Sequence, residues 1–451
     1  MNTLNRILLS KMLSIAVCLL LALGVAGCGG SGGRDSSNGN GGAATDNGPG
    51  GQNANGGGNQ QPAEPGQGNA GEDTGGGTEP PQQQEDPIRE QIASMTIEQK
   101  IGQMVLVGID GTEVNAQTKE LIEQRHVGGI ILYKPNIKTT PQTQQLINGL
   151  KKTNGDAVPL FISVDQEGGR VARLPADFAA LPTNEAIGRV NDPAFSTEIG
   201  RILGRELAAF GFNMDYAPVL DINSNPDNPV IGDRSFGADA EIVSKLGVTT
   251  MKAIQAERVI PVVKHFPGHG DTSVDSHLDL PVVSKTAEQL ATFELEPFSA
   301  AIREGADVVM IAHILLPKID PDHPASFSNA VITGLLRERL GFDGVVTTDD
   351  LTMGGIVKHY DIGEAAVQSV LAGSDLLLVG HEYAKEKAVL DALQAGVADG
   401  AIAEERLDES VYRLLKLKEK YKLTNEPVGS VDAKPVNRLI TDTLSTYMPD
   451  K

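Results

Sequence analysis

Three of the chain's eight histidines fall within Lys264-His265-Phe266-Pro267-Gly268-His269-Gly270-Asp271-Thr272-Ser273-Val274-Asp275-Ser276-His277. Gly268 and Gly270 leave this backbone free to approach a ligand closely. Metal ligation by His265, His269, Asp275 and His277 is one chemistry open to such a cluster. Catalytic zinc usually takes its histidines at helical spacing, and the Pro/Gly content here precludes a helix, so metal binding is the weaker reading. The stronger one pairs Asp275 with His277. A carboxylate two residues from an imidazole in a loop can hydrogen-bond it, fix its tautomer and stabilise its cation. Such a pair makes a general acid/base working near neutral pH, as glycoside cleavage requires. By itself the Asp-Ser-His triplet is a weak signal, because loops contain such triplets by chance.

A second segment, Thr347-Thr348-Asp349-Asp350-Leu351-Thr352-Met353, sets two carboxylates directly after an apolar run. Asp349 suits a nucleophile for an anomeric carbon, with Asp350 expected to cap or orient the next turn of chain. The third, Val164-Asp165-Gln166-Glu167-Gly168-Gly169-Arg170-Val171-Ala172-Arg173, offers carboxylates that could accept from sugar hydroxyls. A solvated loop with internal ion pairs, Glu167 with Arg170, fits its composition equally well. His269 is expected to order the glycine loop, and His313 to be a packed strand-end histidine.

The elements that must position these groups are legible as eight apolar runs. They are Gln103–Gly108, Gly129–Tyr133, Leu160–Val164, Asn213–Leu220, Ile260–His265, Asp307–Ala312, Gly344–Thr348 and Asp375–Val379. Each is followed by a segment that could hold a helix, which fits a closed (β/α)8 barrel of the TIM type better than an open, doubly wound sheet. In such barrels chemistry sits at the C-terminal strand ends. Those ends carry Asp165, Lys264 with His265, His313 and Asp349. Thr96-Ile97-Glu98-Gln99 has capping-box spacing. Pro141–Thr153, Ala287–Glu304 and Ala384–Val397 carry apolar residues at helical spacing, and Glu404–Tyr421 ends in cations that suit a helix C-terminus. Residues 425–451 read as an ill-defined tail.

Asp165-Gln166-Glu167-Gly168-Gly169-Arg170, Gly232-Asp233-Arg234-Ser235-Phe236, the Lys264–Gly270 block with Asp275-Ser276-His277, and Thr348-Asp349-Asp350-Leu351 occur in the order seen in glycoside hydrolase family 3. They resemble its β-N-acetylglucosaminidase branch, the NagZ type, over roughly Met95 to Leu417. The resemblance implies a (β/α)8 barrel and retaining hydrolysis of terminal β-linked N-acetylglucosamine, including that of muropeptides, through a glycosyl-enzyme. It makes Asp349 the nucleophile and His277 the acid/base assisted by Asp275. Asp165, Arg173, Arg234, Lys264 and His265 match positions that hold the sugar. No cofactor is implied, and a monomer is expected. The barrel is not followed here by the second α/β sandwich of larger secreted members, and an N-terminal leader with Cys28 sets the chain apart from single-domain cytoplasmic ones. Two further readings remain: phosphorolysis on the same site, and a non-catalytic barrel that binds wall glycan.

In that leader, Arg6 and Lys11 precede an apolar run from Met12 to Val25, shorter than the roughly 20 residues a spanning helix needs. Val25-Ala26-Gly27 followed by Cys28 resembles a bacterial lipobox, so residues 1–27 are expected to be a signal peptide and Cys28 the lipidated residue. These features imply an extracytoplasmic, membrane-anchored protein. The only other cysteine is Cys18, so disulfides cannot brace the barrel domain. From Gly29 to Pro87 there is no Ile, Leu, Val, Met, Phe, Tyr or Trp, and residues 28–87 read as a disordered tether of roughly 40–50 Å mean reach. The formal net charge of -21 argues against nucleic acid as a partner. About 340 residues, 88–424, are left for the barrel domain, with 425–451 as the tail.

Overall fold

The computed structural model describes residues 86–449. The expected signal peptide, Cys28 and the tether up to residue 85 lie outside the described residues. The first described helix starts just before the expected Ile88: the Asp86 carboxylate accepts from the Ile88 amide at 3.1 Å, and Pro87 opens α1 (Pro87–Ser94). Proline is tolerated there because the first-turn amide has no helical partner. In α2 (Ile97–Gln103) the capping box of Thr96 and Gln99 forms as its spacing predicts.

All eight apolar runs contain strands. These are β1 (Val105–Val107), β2 (Gly129–Ile131), β3 (Phe161–Val164), β4 (Met214–Asp215), β5 (Ile260–Phe266), β6 (Val308–Ile311), β7 (Val345–Thr348) and β8 (Leu377–Val379). They form one parallel sheet in the order β8-β1-β2-β3-β4-β5-β6-β7. Its ends join where the Leu376 amide donates to Val346 O at 3.0 Å and the Thr348 amide to Leu376 O at 3.1 Å. That closure makes a barrel and rules out the open doubly wound alternative. Every residue of these eight strands is buried. Burial on both faces is why these strands read as unbroken apolar runs rather than alternating ones.

The outer layer comprises α3 (Ala116–Glu123), α4 (Thr140–Asn154), α5 (Asn184–Val190), α6 (Pro193–Phe210) and α7 (Ala240–Ala256) over the first half. Over the second half lie α8 (Ala287–Ala291), α9 (Glu296–Arg303), α10 (Gly354–Val357), α11 (Ile362–Ala372), α12 (Tyr383–Ala398) and α13 (Glu404–Lys420). The single helix expected over Ala287–Glu304 is two, because Pro297 is accommodated only in the first turn of a new helix. The expected tail is also ordered. Its α14 (Lys434–Tyr447) buries Val436, Ile440 and Thr443, stacks Tyr447 on Phe195 at 4.9 Å, and anchors through Asn437, whose Oδ1 accepts from the Ala179 amide at 2.7 Å. No helix among the described residues is long and apolar enough to cross a membrane.

At the barrel's N-terminal end one of α13's terminal cations is not on the surface. Lys418 is buried, donating to Gln103 Oε1 at 2.7 Å and Gly128 O at 3.0 Å over the Phe161 ring, and burial pushes its amine down to about 7. Near it Asp375, fully buried ahead of β8, accepts from Ser410 Oγ at 2.8 Å and pairs with Arg413 at 3.2 Å and with Arg337. This end is built for stability, which leaves the opposite rim for chemistry.

Candidate active site

The C-terminal strand ends surround a cavity of about 330 Å³ lined by Asp165, Arg173, Arg234, Lys264, His265, His277 and Asp349, together with Tyr133, Glu167, Tyr216 and His381. Seven of the eight barrel residues singled out from sequence thus share one wall. Asp275, the eighth, stands behind His277. A larger groove of about 910 Å³ lies at the other end of the barrel, along α13, and contains none of them.

The floor is a buried charge cluster. Lys264, near the end of β5, pairs with Asp165 and with Glu167, each at 2.7 Å. Glu167 also takes a bidentate pair from Arg234, at 2.9 Å from Nε and 2.7 Å from Nη2. Burial opposes the charge on Glu167, but Arg234 and Lys264 outweigh it and hold its carboxyl far below the ordinary range. Burial likewise works against the Lys264 ammonium, and Asp165 and Glu167 more than offset it, raising its pKa. A cluster paired so closely presents fixed dipoles and charges to a ligand without reorganising. The sequence-level pairing of Glu167 with Arg170 is incorrect. Arg170 instead pairs with Asp233 at 2.8 Å, because the positive-φ turn at Gly168 and Gly169 carries the chain away from the buried Glu167. Arg173 does face the cavity, and its buried Nε has no partner among the described residues.

Two buried polar groups behind the wall were missed from sequence. Asp221 accepts from His265 Nδ1 at 2.6 Å and from the His269 amide at 2.6 Å, so it holds both histidines of the glycine loop. Gln166 ties the β3 loop together: its amide donates to Asp215 at 2.9 Å, its side-chain NH2 to Glu206 at 2.7 Å, and its carbonyl accepts from the Arg173 amide at 2.7 Å. Burial pushes Asp215 well above the carboxylate range and Glu206 up to about 8.

Asp349 follows β7 and its amide donates to Ile311 O at 3.0 Å. Its Oδ1 accepts from the Asp350 amide at 2.8 Å. Burial opposes its charge, yet His313, His265, His277 and that amide outweigh the cost and lower its pKa, so it stays an anion. Asp350 is tied down at both oxygens: Oδ1 accepts from the amides of Thr352 and Gly380 at 2.9 Å each, and Oδ2 lies 3.3 Å from Tyr133 Oη. His313 is fully buried between Ser326 Oγ, at 2.8 Å, and Asp350 O, at 3.0 Å, and braces the backbone beside the nucleophile candidate.

His277 Nδ1 lies 2.9 Å from Asp275 Oδ1, which also accepts from the His277 amide at 2.8 Å. Nε2 is left to face a ligand. The loop is held on two sides. His269, pushed down to about 4 by burial and the neighbouring His265, is neutral; it bonds Thr272 Oγ1 at 2.8 Å and Ser276 Oγ at 3.0 Å. From the other side the Gly355 amide donates to Ser276 O at 3.0 Å, and His359 Nε2 meets Asp279 at 2.6 Å. His269 therefore orders the loop, as expected, and lines the cavity as well. Among the described residues no group of three or more His, Cys, Asp or Glu side chains is arranged to hold a metal ion.

The profile of the "Glycosyl hydrolase family 3 N terminal domain" matches residues 96–417. This chain belongs to glycosyl hydrolase family 3. It is similar to a family 3 β-N-acetylglucosaminidase from Paenibacillus sp. str. FPU-7, with 45% identity and a TM-score of 0.75 over 78% of this chain and 69% of that one. A β-N-acetylhexosaminidase from Beutenbergia cavernae shows 32% identity and a TM-score of 0.68, over 72% of this chain and 99% of that one. Among curated relatives, β-hexosaminidase A of Pseudoalteromonas piscicida is 36% identical over 334 residues, 68% of this chain. The matched region spans only 56% of that relative's length. The β-hexosaminidase of Idiomarina loihiensis is also 36% identical, over 64% of this chain and 87% of its own. The family 3 barrel and the cavity at its rim thus account for the order of the sequence motifs.

Proposed function

We propose that this family 3 glycosidase is a retaining exo-β-N-acetylglucosaminidase, acting on terminal N-acetylglucosamine of cell-wall-derived glycans or muropeptides. The observation that carries the reading is the meeting of His277, from the loop after β5, and Asp349, from the end of β7, at one small cavity with a charged floor. Relatives that share the barrel bear β-hexosaminidase and β-N-acetylglucosaminidase names.

In this mechanism the terminal sugar enters the cavity, with Lys264, Arg234 and Arg173 as donors to its oxygens and Asp165 as acceptor. The Asp349 carboxylate attacks C1 as the C1–O bond to the leaving group breaks, and His277 Nε2 passes its proton to that oxygen. Neutral His277 then takes a proton from water, whose oxygen attacks C1 and frees Asp349. Two inversions give net retention. Asp275 holds Nδ1, so the proton that moves is the one on Nε2. A cavity of about 330 Å³, small enough for one terminal ring and little more, suits exo action. We further propose an extracytoplasmic site of action, with the lipid on Cys28 and the polar stretch from Gly29 to Pro87 as the tether.

Asp349→Ala is expected to lower turnover of an aryl N-acetylglucosaminide by about 10³-fold or more with an unchanged circular dichroism spectrum. Undiminished activity would eliminate Asp349 as nucleophile. Running the wild-type assay with and without phosphate separates hydrolysis, which releases free sugar at an unchanged rate, from phosphorolysis, which releases sugar phosphate.

A further inference from the structure

Arg173 lines the cavity without a partner for its side chain. Its guanidinium makes no hydrogen bond or ion pair among the described residues, and its Nε is buried. The other two long cations of the floor are fixed by their heads, Lys264 on Asp165 and Glu167 and Arg234 on Glu167, each at 2.7 Å. With nothing gripping its head, Arg173 is placed by the backbone that carries it. That backbone belongs to residues 165–183, which join β3 to α5 without a helix or strand of their own. Holding so long a connection in one shape costs entropy, so its contacts with the rest of the chain decide where it sits.

Three side chains hold the stretch around Arg173. Gln166 Oε1 accepts from the Arg173 amide at 2.7 Å, and Lys134 Nζ donates to Arg173 O and Leu174 O at 3.2 Å each. The third is Asn437, on α14, outside the barrel. Its Nδ2 donates to Asp177 O at 2.7 Å and its Oδ1 accepts from the Ala179 amide at 2.7 Å, so one side-chain amide brackets Phe178. It gives a loop the backbone partners that a neighbouring strand would give. Little slack lies between this bracket and Arg173. Leu174 and Pro175 are buried, proline fixes its own φ, and the Phe178 amide donates to Pro175 O at 3.0 Å. A shift at residues 177–179 is therefore passed back to Arg173. We infer that Asn437 is a positioning residue: by clamping Asp177 and Ala179, α14 sets where Arg173 stands in the cavity and so how tightly the sugar is held. The identity of that ligand rests on the glycosidase reading.

The test is a double-mutant cycle on inhibition by free N-acetylglucosamine, with turnover of an aryl N-acetylglucosaminide measured alongside. Asn437→Ala is expected to raise the inhibition constant and KM about five- to tenfold, with kcat within about twofold. Arg173→Ala should weaken inhibition at least as much. Adding Asn437→Ala to Arg173→Ala should then change the inhibition constant by less than about twofold, since no guanidinium is left to place. A merely structural role would weaken inhibition by the same factor in both backgrounds. That result, or an unchanged inhibition constant in either single variant, overturns the inference. Asn437→Asp, which keeps the acceptor for the Ala179 amide and loses the donor to Asp177 O, takes the same place in the cycle if Asn437→Ala does not fold. Wild-type protein that neither turns over the glycoside nor binds N-acetylglucosamine would instead sink the underlying glycosidase reading.

Discussion

Gly354, five residues beyond the nucleophile candidate, is where the acid/base loop comes closest to the chain continuing from β7. A Cβ added there would lie 2.4 Å from His277 O and 3.1 Å from Leu278 O. The residue does not occupy the left-handed region, so alanine meets no dihedral penalty. Its methyl must instead push the turn back by about 1 Å to reach ordinary contact. A displacement of that size between a catalytic group and its target can cost roughly 10²-fold in rate. The loss should be selective. Alkyl glycosides need a proton on the departing oxygen, whereas a dinitrophenyl glycoside leaves without one, so kcat/KM for Gly354→Ala is expected to fall about 10²-fold on the first and less than about threefold on the second. The comparison must use kcat/KM, because kcat on the activated substrate also reports the base-assisted second step. Gly355→Ala, whose Cβ would stand 3.0 Å from Ser276 O, should show the same pattern more mildly. Equal losses on both substrates, or none in Gly354→Ala, would refute the argument that this contact sets the position of His277.

Two further outcomes are expected. Glu206, pushed up to about 8 by burial, binds a proton in the folded chain that the unfolded chain releases near its ordinary value of 4.5, so its contribution is present at low pH and lost as pH climbs from about 4.5 to 8. Glu206→Gln keeps the acceptor for Gln166 without the titration, and urea unfolding should show wild type losing about 3.5 kcal/mol more than the variant between pH 5 and 8; parallel pH profiles would contradict the assignment. Cys28→Ser in the producing cell should abolish incorporation of labelled fatty acid and shift the protein from membrane to soluble fractions, and continued labelling would exclude Cys28 as the anchor.

The strands were legible because a parallel barrel buries both faces of each strand, so the pattern survives in the sequence as eight apolar runs. The layout of the candidate site was legible where it is local: the contact of His277 with Asp275, or the place of Asp349 at the end of a run. Glu167 could not be assigned from sequence, since its partners are Arg234 and Lys264, far along the chain, and only the fold shows that Arg170 turns elsewhere. Asp221 did leave a signal, a lone carboxylate inside Val219-Leu220-Asp221-Ile222 just past the fourth run, where burial demands a partner. Tyr133 and His381, which stack at 4.5 Å on the cavity wall, had no motif to announce them. In the C-terminal segment the helical spacing of Val436, Ile440, Thr443 and Leu444 was present, but Pro, Gly and Asp upstream of it obscured the signal.

The two halves of the site rest on different supports. The charges proposed to grip the sugar come from the ends of β3 and β5 and the turn at Arg234, and burial and mutual pairing hold them, with Asp221 and Gln166 behind. The proposed acid/base comes from a loop bonded through Ser276 O to the Gly355 amide and through the Asp279 carboxylate to His359, on the same stretch of chain that carries Asp349. Asp349 and His277, the proposed nucleophile and acid, are therefore spaced by one local segment, and a shift of that segment moves them together. Damage to the floor should weaken sugar binding with the acid still in place, while damage to the loop contacts should spare binding and slow proton transfer. Substitutions behind the floor would then appear chiefly in KM and in product inhibition, and those at Gly354, Gly355 or His269 in the dependence of kcat/KM on leaving-group acidity.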